Sequence, residues 1–477
     1  MNKALILLPL LLTGCAAALS LTACAVGPDY QPPADPTQTR YDLAKVPDQE
    51  QAGIEGPHVA TGPVRPDWWI LFHSPALDRT ETQALADNAT LEAAKATLRQ
   101  AEQVVEESTA SWWPQVSLDA GVQRNGSGGF TAAGGGTSSN FFSIGPTASY
   151  MVDLFGATAR TVEEARAQAD FQRWQLEEAR LTLVGGVAAE AVAIAAARLQ
   201  IETAESILIN DRKDLEMLRE QYEVGKAAKT DVLTVQSQVV AQQTQLAALR
   251  QQLSVARHAL AVLMSQAPAD WTPPDFAIDD FTMPEDLPLT VPSEFVHKRP
   301  DIAAAEAQLQ SLSAAVGVAT AAQYPQITLS ASVTQQSVSP GTLLEPVNNL
   351  WSVGAGLAQP IYYGGSLEAA KKAAIEAYNA QLATYRQTVV TAFGQVADSL
   401  RALDHDAELM RDSQASADIS AESLELLRIS YQVGKTSVLQ LLTAETADAQ
   451  ARQSLATAKA QQLTDVVNFF IALGVTQ

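Results

Sequence analysis

Two hydrophobic periods share this chain. In "PQVSLDAGVQ", from Pro114, the apolar Val116, Leu118, Ala120 and Val122 alternate with Gln115, Ser117, Asp119 and Gly121. "PQITLSASVTQ", from Pro325, repeats that register: Ile327, Leu329, Ala331 and Val333 against Gln326, Thr328, Ser330 and Ser332. Phe142, Ile144, Ala148, Tyr150 and Val152 form a third alternating stretch, and Trp351, Val353, Ala355 and Leu357 a fourth. A period of two predicts strands with one apolar and one polar face, here over residues 114–124, 141–153, 325–335 and 350–361. A Gly/Ser-rich loop separates the first pair and a Pro-containing loop the second.

The second period is seven. Ile201, Leu208, Leu215 and Tyr222 keep it, as do Met410, Ala417, Leu424 and Tyr431. Val239, Leu246, Leu253 and Leu260 follow the first run; Leu442, Ala449, Ala456, Leu463 and Phe470 follow the second. Such spacing lays one apolar seam against a neighbouring helix. No proline interrupts the chain between Pro146 and Pro268 or after Pro360. At ~1.5 Å per residue, a helix from Thr158 to Tyr222 is roughly 100 Å long, a length for coiled coils rather than globular domains.

Between outgoing and returning runs stand "YEVGK" at 222–226 and "YQVGK" at 431–435, the second 209 residues after the first. Gly225 and Gly434 suit the left-handed residue that ends a helix, so each pentapeptide predicts the tip of a helical hairpin, near 222–231 and 431–440. "VGKTS" resembles the end of a phosphate-binding loop, but Ile429 occupies the position where that loop needs glycine.

The chain therefore reads as a duplication. Each half runs helix, β-hairpin, long helix, glycine tip, long helix, over 67–266 and 293–477, with a Pro-rich acidic linker at 267–292. A helical pattern from Leu77 to Ser111 opens the first half. Residues 24–66 are Pro-rich and read as an extended strap. Residues 1–23 read as an export signal. "LTGC" and "LTAC" each end in a cysteine, Cys15 and Cys24, in the form a bacterial lipoprotein peptidase needs, and either can carry acyl chains. Past the leader, no stretch of about 20 apolar residues reads as a transmembrane helix.

With 31 Lys+Arg against 53 Asp+Glu, the net charge of −22 argues against nucleic acid as a partner. No cysteine follows Cys24, so there is no disulfide or cysteine metal cluster beyond it. The histidines (His58, His73, His258, His297 and His405) are scattered without metal spacing. No cofactor and no catalytic constellation is read; the chain is not expected to be an enzyme. The alternating strands are compatible with β-hairpins on a soluble core. The export signal, the acyl anchor and the strand lengths favour membrane strands instead, apolar face to lipid. Four such strands leave edges that lipid cannot solvate, so chains must associate to close a barrel.

"CAVGPDYQPP" from Cys24, "WWILFHSPALD" from Trp68, "SYMVDLFG" from Ser149, "KRPDIAAAEAQL" from Lys298 and "QPIYYGGSLEAA" from Gln359 together resemble the outer membrane factor family. These are the TolC-like exit ducts of tripartite efflux and type I secretion, and the branch resembled is the NodT/OprM type of efflux lipoprotein. The resemblance covers nearly the whole mature chain and favours Cys24 as the acylated residue. It implies a mainly α fold with transmembrane β: a homotrimer with a 12-stranded barrel, four strands per chain, on an α-helical barrel. It also implies a passive duct in the bacterial outer membrane that extends into the periplasm, with a periplasmic adaptor protein and an inner-membrane transporter of the RND type as partners. The hairpin tips, with Gly225, Lys226, Gly434 and Lys435, would seal the periplasmic mouth and dock the adaptor. At the gate, the resemblance implies a contact of Tyr431 with Asp231, with Thr230 also matching. The family's basic and acidic gate positions hold Thr436, Gln440 and Thr443 here; Lys226, Lys229 and Lys435 offer tip cations instead. The cargo is not legible. Two rival readings are a periplasmic adaptor, which carries a single hairpin and soluble β domains, and a structural coiled-coil lipoprotein without a pore.

Overall fold

The computed structural model describes residues 25–34, 37, 40, 41, 58–62, 64–127, 137–284, 286–289 and 292–474. Cys15, Cys24 and the Gly/Ser-rich loop at 128–136 lie outside these residues. The described elements run β1 (His58–Thr61), α1 (Pro75–Asp87), α2 (Ala89–Ala110), β2 (Gln115–Ser127), β3 (Thr137–Val152), α3 (Ala157–Glu223) and α4 (Lys229–Leu263). Then come β4 (Asp286–Leu289), α5 (Pro292–Lys298), α6 (Pro300–Ala321), β5 (Gln326–Ser337), β6 (Asn349–Ala358), α7 (Ser366–Gln432) and α8 (Val438–Leu473). The outgoing helices α3 and α7 each have 67 residues, and the returning α4 and α8 have 35 and 36.

Contacts divide the chain into two compact units. The first takes in residues up to Pro33, Thr97–Gln172 and Ala305–Tyr385. Its centre is an antiparallel sheet in the order β2-β3-β5-β6. β2 and β3 stay paired beyond the alternating stretch, Arg124 facing Asn140 and Ser127 facing Thr137, because a hairpin ladder needs only backbone groups. β6 stops at Ala358, earlier than the alternation predicts; Pro360 has no N–H to donate.

An N-terminal strap lies against this unit. Val26 N–H donates to the Phe155 carbonyl at 3.0 Å. Arg160, almost fully buried, holds the strap by donating to Asp29 at 2.6 Å and to the Val26 carbonyl at 3.3 Å, while its other nitrogen reaches Glu163 at 2.7 Å. Gly27 passes so close to α6 that a Cβ would stand 2.6 Å from the Gly317 Cα.

The second unit comprises Ala34–Ala96, Arg173–Ala304 and Arg386–Gln477. Here the heptad reading holds: Leu208, Leu215, Val239, Leu246 and Leu442 share one buried cluster, with Ile201 packed on it. A second cluster joins Leu424, Leu441 and Ala444, with Tyr431 against it. Tyr222, by contrast, is exposed at the tip. α3 does contain an 18-residue window apolar enough to cross a membrane, contrary to the sequence reading; half of that window is buried. Leu183, Val187, Val192 and Ile194 form part of this helix's buried surface.

Three further expectations change. The helical pattern from Leu77 breaks at Asn88, whose backbone is extended; its side chain accepts from Leu91 N–H at 2.9 Å to start α2 and donates to the Leu263 carbonyl at 2.7 Å. The Pro-rich strap and the linker are not merely extended: β1 pairs in parallel with β4, His58 facing Asp286. Phe276 and Leu287, both in the linker, are fully buried. Proline ruled out helix there but left aromatic and aliphatic side chains free to pack.

Candidate functional site

The sheet comes first. Val116, Ala148, Ala331 and Val353 form one row across all four strands, and the next row is Ser117, Thr147, Ser332 and Ser352. Because successive residues point to opposite faces, one face is mainly apolar and the other mainly polar, until Gln335, Asn349, Arg124 and Asn140 enter the apolar face at the end away from Gln115. On the apolar face Val116, Leu118, Val122, Trp351, Val353 and Leu357 are each about 70 % exposed or more, a large uncovered surface in need of a non-aqueous neighbour. The polar face is cross-linked by its own hydroxyls: Ser117 and Thr147 at 2.8 Å, Ser332 and Ser352 at 2.9 Å, with Thr147 also donating to Asp119. β2 and β6 are edge strands, each paired on one side only.

One end of the sheet is aromatic. Trp112 and Trp113 precede β2, Tyr324 precedes β5, and Tyr362 and Tyr363 follow β6; all are exposed. Phe155, just after β3, stacks on Tyr324 at 4.8 Å. Amphipathic rings at one level suit a membrane–water boundary. The strap begins at this same end, with Ala25 packed against Gly156.

The tips come second. At the first, Gly225 has φ +75°, its N–H donates to the Tyr222 carbonyl at 3.0 Å, and Lys226 N–H donates to the Gln221 carbonyl at 2.7 Å. At the second, Gly434 has φ +72°, its N–H donates to the Tyr431 carbonyl at 2.9 Å, and Lys435 N–H donates to the Ser430 carbonyl at 2.9 Å. Both are the same paired C-terminal motif, which satisfies the last carbonyls of α3 and α7. Lys226, Lys229, Lys435 and Thr230 are exposed around these turns.

The return helices start differently. Ser437 caps α8: its hydroxyl accepts from Gln440 N–H at 3.4 Å while Gln440 accepts from Ser437 N–H at 3.3 Å. At the equivalent place α4 begins at Ala228, which has no such hydroxyl, and Asp231 accepts from Ala228 N–H at 3.3 Å. Gln440 is thus a capping residue, and Thr436 donates to it at 3.2 Å.

Tyr431 does not bond Asp231 in this structure. Its hydroxyl donates to Gln221 Oε1 at 2.8 Å, while the Asp231 carboxylate is engaged by its own helix start. One to two turns in from the tip, Asp214 of α3 and Glu445 of α8 face each other on one cavity, and Arg428 of α7 donates to Glu445 at 3.2 Å. Sequence reasoning missed Gln221, Asp214, Arg428 and Glu445, since nothing in spacing singles out a polar residue on a helix of this length. The Ser437–Gln440 box was readable as Ser-x-x-Gln ahead of an apolar run.

An amphipathic antiparallel sheet with open edges, carried in one chain with two long helical hairpins, is the build of an outer-membrane channel protein. The chain belongs to the outer membrane efflux protein family, which matches residues 82–266 and again 291–475, the internal duplication seen from outside. It is similar to the pyoverdine export outer membrane protein OpmQ of Pseudomonas aeruginosa, 30% identical over 85% of this chain and 86% of the relative. It is also similar to nodulation protein T of Rhizobium leguminosarum bv. viciae, 25% identical over 95% of this chain and 91% of the relative. Among solved structures, the outer-membrane channel OprN superposes with a TM-score of 0.87 at 25% identity, covering 95% of this chain and 99% of that one. The open state of the Neisseria gonorrhoeae MtrE channel superposes at 0.80 with 23% identity, covering 95% and 98%. The protein is an outer-membrane efflux duct that extends into the periplasm, and the rival adaptor and poreless readings fall away.

Proposed function

We propose that this duct works as a passive homotrimer, without catalysis of its own. It would be held by acyl chains on Cys24, docked at its hairpin tips by a periplasmic adaptor, and driven by an inner-membrane transporter. The observation that carries the trimer is the four-stranded sheet with an apolar face and two open edges. In lipid an edge strand is tenable only when paired, so β6 of one chain closes on β2 of the next, and four strands make too narrow a barrel to do so alone. The polar face then lines the pore. Acylation at Cys24 is supported by the strap: Ala25 is held at the aromatic end of the sheet, so acyl chains on the preceding residue enter the membrane where the rings mark its surface. In this reading Gly225, Lys226, Gly434 and Lys435 form the docking turns, and Tyr431, Thr230 and Asp231 belong to the gate, with Tyr431 acting through Gln221. Selection of the cargo would rest with the transporter.

Native mass spectrometry of the detergent-extracted protein, paired with planar-bilayer recording, tests this. A trimer that conducts ions is expected; a stable monomer that does not conduct rejects the closed-barrel reading.

A further inference from the structure

Near the tips, the two hairpins of one chain meet through polar contacts among the described residues. Tyr431 of α7 donates to Gln221 of α3, Gln238 of α4 donates to Thr446 of α8 at 3.3 Å, and Asp214 of α3 meets Glu445 of α8 carboxyl to carboxyl. The third contact is unusual. Two carboxylates repel; a hydrogen bond between them exists only while one oxygen carries a proton. Glu445 is only 7% exposed, and both groups border a cavity of about 890 Å³ that also reaches Tyr431.

We infer that Asp214 and Glu445 form a proton-operated clasp that holds the second hairpin against the first and releases it when the shared proton leaves. This rests on reading the tips as the duct's closed mouth. On α7, Arg428 partly neutralises the pair; on α3, Lys213 and Asp211 stand nearby; on α8, Asp448 follows one turn on and pairs with Arg452 at 2.8 Å. Glu220 and Lys226 line the same cavity. From α4 the contribution is apolar, Val235 and Val239 packing with Leu215 and Leu442. Burial, then the neighbouring Asp214, raise the Glu445 carboxyl from its ordinary 4.5 to about 7. Burial raises Asp214 as well, and it raises Asp211, with Asp214 adding to the effect, to about 6.

The sign follows from where the proton is held. The clasped arrangement binds it more tightly than separated, hydrated side chains do. Clasping is therefore fully favoured below the ordinary carboxyl range and is lost as the pH rises through about 7. Opening releases one proton per chain, so its equilibrium constant climbs by up to about tenfold per pH unit within that window.

Hydrogen exchange of the full-length protein in detergent reads the clasp without requiring conduction. After correction for intrinsic rates, protection of the last turns of α3 and α7 is expected to fall at least about tenfold between about pH 5.5 and about pH 8. Glu445→Gln and, independently, Asp214→Asn supply an amide donor at every pH and are expected to stay protected at both. Arg428→Gln is expected to keep the transition and move it to higher pH, since the pair loses its compensating cation. Wild-type protection that does not vary with pH overturns the clasp, as does a transition that both amide variants retain. Bilayer recording on the same samples separates the two readings: a pH-dependent clasp with unchanged conductance supports the clasp and removes the tips from gating.

Discussion

Tyr431 and Asp231 illustrate how far a residue's role depends on its own helix. Both lie within a few residues of a tip glycine, and a resemblance joined them. In the structure Asp231 sits at the third position of α4, where a carboxylate that reaches back to the helix start is stabilised by the exposed N–H groups there. Tyr431 therefore turns to Gln221. Removing that hydroxyl in Tyr431→Phe costs about 0.5–1.5 kcal/mol, the worth of an ordinary hydrogen bond. The expected outcome is a roughly two- to tenfold rise in open probability in bilayers, with trimer yield unchanged. Asp231→Asn keeps an acceptor at the helix start and is expected to conduct as the wild type does. The reverse ranking would restore Asp231 as the principal gate residue.

At the scale of the element, the sheet was the most legible part of the molecule. A period of two fixes which residues of a strand share a face whatever the tertiary context, while the row Val116, Ala148, Ala331, Val353 is set by the pairing register. Helix ends were less legible. Asn88 breaks a pattern that periodicity ran straight through, because its side chain caps one helix while its backbone leaves another. β1 and β4 were illegible: four-residue strands in Pro-rich segments carry no period, and only their pairing defines them. Face assignment makes a sharp contrast between neighbours. Val353→Lys places a cation on the apolar face at a cost of about 2–4 kcal/mol near the bilayer midplane. Ser352→Lys, one residue earlier, points to the opposite face. Folded, membrane-inserted protein, read as heat-modifiable bands on gels, is expected to drop sharply for the first and to stay near wild type for the second. Equal losses would place both faces against lipid or neither.

For the whole molecule, duplication is the governing fact, yet the copies are not equal. The turns at Gly225 and Gly434 share the same paired bonds, while the helices they launch begin on Ala228 and on Ser437. A serine at that position in place of alanine is worth about 1 kcal/mol, so the first hairpin's return helix should fray before the second's. Ala228→Ser is expected to slow amide exchange at the start of α4 about fivefold, toward the rate at the start of α8. In the proposed trimer this difference reaches beyond one chain. The mouth becomes a ring whose apparent symmetry is twice its true symmetry, with firm and loose tips alternating around it. A partner that grips every tip alike meets two classes of seat, and the loose class yields first, so opening breaks the ring's approximate symmetry before it widens the passage.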